Sequence, residues 1–488
     1  MGLYLGEKKV TTNFGRQSGV DSEVIDEKIL DALTELDLAN ITEYADENGN
    51  ILILPEEEID LSSKIVGKKN GTAEIFNDYD NNVAEGEYSH AEGYGTIALG
   101  KASHAEGAVT YTLTEGVEEL NTRTVTINDV SYAISGPFAY GEGSHAEGTV
   151  TFAHGNYSHA EGYGAVASGR ASHAEGEDTT ASGNYSHAEG NNTAASGWYS
   201  HAEGGRTNAS GDYSHAEGLY TNASGYNSHA EGYETVASGY CSHAEGYHTT
   251  ASGDYSHAEG LNTIAYGNYA SHAEGFETKS IGGDGSHAEG YRAVASGAYG
   301  SHAEGNETIA SGYYSHAEGC FTKAPNGASH AEGAYTVAYG DYGTHAEGHR
   351  TSTYGWASHA EGYSDNSLPS SITSSSSDDD IIGAWGQTKF TLAKGAGSHA
   401  EGQNTLALGD YSHAEGHHTT ASGYNSHAEG DETVASGSNS HAEGSGTVAS
   451  SRYQHVQGKY NIEDTENKYA HIVGNGEYNN LSNAHTLD

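Results

Sequence analysis

Histidine and glutamate, one residue apart, recur 22 times in this 488-residue chain. Each pair lies in the pentapeptide Ser/Thr-His-Ala-Glu-Gly, from Ser89–Gly93 to Ser440–Gly444. An imidazole beside a carboxylate can share a proton, form an ion pair or hold a metal ion. On a β-strand the two side chains share a face, while the preceding Ser points to the other. A Ser–His nucleophile pair therefore cannot form within the motif, and no catalytic constellation emerges. A glycan-cleaving site needs paired carboxylates in a groove, and a uniform array singles out no pair. The expectation is a protein that is not an enzyme.

The array gives two readings of its own. His159, His173, His187, His201, His215 and His229 with Glu161, Glu175 and Glu189 could ligate metal ions along a shared axis. A specific site needs only one or two such layers, however, so the preferred reading is a hydrogen-bonded His–Glu ladder between chains. Paired histidines are then expected to hold protons more tightly than free ones, with stability present at low pH and lost as pH rises. No cofactor is expected beyond such axial ions.

What positions these residues is a repeat. From His145 to His257 the histidines recur every 14 residues, and between them runs Thr-x-Ala-x-Gly, as in Thr179–Gly183. The period is too short for helical-hairpin, leucine-rich or propeller repeats. Two glycines per unit also argue against a helix. One unit fits one coil of a solenoid: two short strands joined by corners. Alternation puts Ser186, Ala188 and Gly190 with Thr193, Ala195 and Gly197 inside, and Tyr185, His187 and Glu189 outside. The expected fold is all-β, a thin parallel β-roll. Tyr185, Tyr199, Tyr213 and Tyr255 fall at corners, where Tyr could stack on sugars, although Tyr rows more often serve packing.

Irregular units fit the same frame. Four have 15 residues, each with its extra residue between the corner glycine and the next Ser or Thr, as from Gly267 to Ser271. Asn326 replaces a corner glycine, as expected if that position needs positive φ. Two insertions, 108–136 and 363–390, leave the opposite corner 16 coils apart, roughly 75–80 Å along the roll. The first reads as a β-hairpin around Asn128-Asp129, and the second opens with a Ser/Asp-rich loop, Ser374 to Asp380. Loops on a rigid scaffold often carry binding, which makes Asn128, Tyr132, Phe138, Asp379 and Trp385 candidate receptor contacts.

Composition sets limits. With 68 acidic and 20 basic residues the formal charge is −48, or −26 if all 22 motif histidines were protonated. Such a chain is not expected to bind nucleic acid or anionic membranes. No segment is apolar enough to insert in a membrane. Met1 to Lys8 lacks the apolar region of a signal peptide, so synthesis in a host cytoplasm is expected. Cys241 and Cys320 do not make a disulfide framework. Residues 1–80 differ in kind: a strand at Leu3–Leu5, a helix over 21–38 with Ser22 as N-cap, and a hairpin signal at Asn48-Gly49-Asn50. This α+β region reads as an attachment base.

A roll filled with Ser and Ala buries too little apolar surface to offset backbone entropy unaided. A symmetric homo-oligomer resolves this. Over residues 84–458 the unit resembles the head repeats of trimeric autotransporter adhesins, YadA-like rolls whose Ser-Val-Ala-Ile-Gly maps onto Ser-His-Ala-Glu-Gly here. That resemblance implies a left-handed β-roll and a homotrimer, with His and Glu at positions that face the trimer interior. The segment 459–488, with Tyr469–Gly476 and Ser482–Asp488, resembles the junction that precedes a self-cleaving chaperone in phage tail appendages. It implies a phage or phage-like tail fibre in the virion. Residues 1–80 would attach it to a tail or baseplate, and it would meet a host-surface glycan or protein. A bacterial surface adhesin is the alternative, and a glycan-cleaving tailspike a third.

Overall fold

The computed structural model describes residues 82–108, 136–464 and 466–476 with their side chains. As backbone strands alone it describes Gly2–Leu5, Lys8–Thr11, Tyr44–Ala45, Ile51–Leu52, Glu74–Tyr79, four strands between Tyr111 and Ile134, and His485–Thr486. The chain divides into two compact units, Met1–Val66 and Gly67–Asp488. In the first, Gly2–Leu5 pairs antiparallel with Lys8–Thr11, and Tyr44–Ala45 pairs with Ile51–Leu52 across Asn48-Gly49-Asn50. The helix expected over 21–38 lies outside the described residues.

The second unit is a parallel β-solenoid. In the coil 173–186 the motif strand is His173–Glu177, and Thr180–Ala181 forms the second strand. Every motif strand pairs in parallel with its equivalent one coil on, His173 opposite His187 and Glu175 opposite Glu189. Second strands do the same, Ala181 opposite Ala195. The stacking gives two parallel sheets, one of 23 strands and a motif sheet of 26, whose last strand, His485–Thr486, is antiparallel. The motif sheet begins at Glu74–Tyr79 and runs on through His471–Asn475. Ser186, Ala188, Thr193 and Ala195 are all buried between the sheets, as alternation requires.

Corner geometry departs from expectation. Positive φ falls at Asp178 (+54°) and Tyr185 (+60°), whereas neither Gly183 nor Asn326 adopts it. Gly183 opens a turn closed by Ser186, whose N–H and Oγ–H both donate to the Gly183 carbonyl at 3.3 and 2.7 Å. Positive φ at the third residue is that of a type II turn. Gly183 is instead required by space, because a Cβ there would stand 1.9 Å from the carbonyl oxygen of Gly197 in the next coil. Asn326 therefore replaces a glycine needed for close approach, and its side-chain amide donates to the Tyr339 carbonyl.

The 15-residue units absorb their extra residue in this turn. Tyr269 and Ala270 both take positive φ, and His257 still pairs with His272.

The insertions differ from each other. The first forms two antiparallel pairs, Tyr111–Thr114 with Val117–Leu120 and Arg123–Ile127 with Val130–Ile134. The second contains a helix, Asp378–Gln387, whose first turn falls within the stretch read as loop, Ser374 to Asp380. Ser377 caps it, its Oγ accepting from the Asp380 N–H, and three aspartates in the first turn complement the helix dipole. Ile381 packs with Ile372 and Phe390 onto Leu392, Leu406 and Leu408 of the second sheet.

Candidate functional site

The motif strands place one His and one Glu per coil on the outer face of the motif sheet, and register makes each a column. Successive imidazoles stack face to face, with centroids 4.7 Å apart and planes within 3° from His159 through His173 to His187. The contact with Glu within a coil is longer than a hydrogen bond: Nε2 to Oε2 is 3.9 Å for His159–Glu161, His173–Glu175 and His187–Glu189. His201 instead meets Glu189 of the preceding coil, at 3.8 Å. The pair is only half-buried, His159 and Glu161 being 34% and 44% exposed. Yet the Nε2 atoms of His159, His173, His187, His201, His215 and His229 are buried and lack a hydrogen-bond partner.

This geometry reverses the expected proton affinity. Burial, and then the neighbouring His159 and His104, push the His145 pKa down to about 4. His413 is likewise lowered to about 4, by burial and then by His399 and His427. His159, His187 and His229 are also lowered, burial first and stacked histidines second, with the glutamates opposing. Burial penalises a proton on any ring, a second charged ring would stand 4.7 Å away, and the half-exposed Glu contacts at 3.9 Å do not compensate. These five histidines are neutral at pH 7, so a fully protonated ladder, and its −26, is not the state of this face.

Among the candidate contact residues, three have described side chains: Phe138, Asp379 and Trp385. Phe138 is buried, 4% exposed, within a cluster with Val150, Phe152 and Val166, so it is a packing residue and not a loop contact. Trp385 is half-buried, its indole N–H donating to the carbonyls of Phe390 and Asn404 at 3.1 and 3.2 Å. It holds the helix to the roll. Asp379 is exposed in the first turn of that helix. Tyr132 lies on the Val130–Ile134 strand, and Asn128 lies outside the described residues.

Sequence reading missed a polar cluster beneath the helix. Asp365 accepts from Gln403 and Asn404, Asn404 lies 3.2 Å from His418 Nε2, and His417 Nδ1 pairs with Asp431 at 2.7 Å. Its signal was the pair His417-His418 following a motif glycine, which the motif count passed over.

The opposite turn carries an exposed aromatic ribbon. Tyr185, Tyr199 and Tyr213 stack at 4.8 and 5.1 Å, and Tyr226, Tyr240 and Tyr255 continue along the same turn. Ring faces within these stacks cover one another, which favours packing over sugar stacking.

Residues 160–186, 174–200, 244–270, 400–426 and 428–450 match the family model of the YadA head domain repeat. Those coils are similar to the YadA head repeat. No curated protein matches the chain. In the matched coils the outward positions of the motif strand carry His and Glu, as at His173 and Glu175.

Proposed function

We propose that the chain is a homotrimeric tail fibre or appendage of a phage or phage-like particle, a stiff spacer that contributes to host-surface recognition. The observation that carries the trimer is the ladder face, a continuous column of Nε2 atoms that are buried yet lack a hydrogen-bond partner. Buried polar groups without partners are costly, and the matching column of a second and third copy would supply them. The interior adds to the argument, since its buried hydrophobic residues are mostly alanines. Residues 1–80 would attach the fibre to a tail or baseplate protein. The second insertion, held on the roll through Trp385 and exposing Asp379, supports a recognition role at a host glycan or protein.

The YadA head repeat match favours a second reading, a bacterial surface adhesin. Immunogold labelling of a phage lysate separates the two. Label on virion tails or appendages supports the fibre, and label confined to cell surfaces supports the adhesin. As a structural protein it is expected to release no sugar from host-surface glycans, and release by purified protein would favour a tailspike enzyme.

A further inference from the structure

We propose that the histidine–glutamate ladder is a periodic binding site for divalent transition-metal ions of the zinc class, one ion for every two coils. The ligand set comes from one chain, and where an ion is bound the Nε2 atoms take the metal in place of an inter-chain partner. Successive triplets such as His145, Glu147 and His159, or His159, Glu161 and His173, bring three ligand atoms within 4.8 Å of one another. The Nε2–Oε2 separations of 3.4–4.0 Å along the ladder are too long for hydrogen bonds. They lie close to the roughly 3.4 Å between ligand atoms in a tetrahedron with metal–ligand bonds of about 2.1 Å. Neighbouring rings stack in parallel at 4.7 Å, so bringing two lone pairs to one ion takes a tilt of alternate imidazoles, such as the 65° between His201 and His215, together with rotation of the half-exposed Glu side chains.

Ligand chemistry fixes the stoichiometry. An Nε2 lone pair can serve one ion only, so an ion that takes two imidazoles consumes the histidines of two coils. The same two coils supply two carboxylates, since Glu161 and Glu175 are register partners. Two neutral imidazoles and two carboxylates form a four-ligand set whose charge cancels that of a dication. Ions would then recur about every 9.5 Å, twice the strand spacing, and not at every coil, where uncancelled charge would accumulate.

The test uses the full-length protein in its native oligomer, stripped with chelator and titrated with Co²⁺ and then Zn²⁺. Intense visible bands of tetrahedral cobalt are expected, with a capacity near half the motif number, about 11 ions per chain. Replacing His173→Gln, Glu175→Gln, His187→Gln and Glu189→Gln together should lower the capacity by one or two ions. His248→Gln, which removes a histidine outside the motifs, should leave it unchanged. A capacity that does not fall in the ladder variant overturns the proposal. Should that variant fail to assemble, the unmodified protein decides: only the weak bands of octahedral cobalt would also overturn it.

Discussion

Single atoms set the tolerance of the coil. Gly190 has φ +109°, and a Cβ there would meet the Gly204 carbonyl oxygen at 2.1 Å, whereas at Gly205 it would meet only the movable Leu219 Cδ1 at 2.9 Å. Gly190→Ala should therefore cost about 3 kcal/mol or more, and Gly205→Ala less than about 1 kcal/mol, read by denaturant melts. Equal costs would refute the close-packing account. Titration belongs to the same scale. Burial and the stacked His104 and His159, facing Glu147, hold His145 at about 4 against an ordinary 6.5. The unfolded chain then takes up protons that the folded ladder refuses. In chelator-treated protein, stability should be full above about pH 6.5 and fall as pH drops towards 4. Melting temperatures that hold or rise on acidification would contradict this. The sequence suggested the opposite sign, because His beside Glu reads as an ion pair, whereas burial of the rings, and then their stacking, decides the balance.

At the scale of elements, the second insertion is held by its apolar underside and by hydrogen bonds to the roll. The Tyr354 hydroxyl donates to the Ile372 carbonyl at 2.8 Å, and its burial beside Tyr339 raises its pKa to about 12. Tyr354→Phe should cost about 1 kcal/mol, seen as faster hydrogen exchange over 363–390 with the coils unchanged. Trp385→Ala removes ring packing and the donor to Phe390 and Asn404, and should cost about 3 kcal/mol. Limited proteolysis should then cut within 363–390 while the roll stays intact, and an uncut insertion would show that Trp385 is not its anchor. The hairpin around Asn128-Asp129 was readable because turn chemistry is local. The helix at Asp378–Gln387 was not, because a run of serines and aspartates reads as loop until Ser377 is recognised as its cap. A second signal lay in the roll itself: where regular coils carry Thr180, Ala194 and Asn208, the coils under the insertion carry Leu392 and Leu406. Leu392 and Leu406 are fully buried, whereas Ile264 and Ile309 at the same position of other coils stay partly exposed.

For the whole molecule, a 14-residue period with alternating small residues was enough to specify two parallel sheets, since each coil only has to match the next. The periodicity also located the ladder, but not the 4.7 Å stacking or the buried Nε2 atoms, which arise from rotamers shared along the column. Those atoms and the Ala-filled interior make association the central claim. Light scattering on the purified full-length protein at neutral pH tests it most directly. A mass three times the 50.9 kDa of one chain is predicted, and a stable, folded species at the mass of one chain would contradict the account.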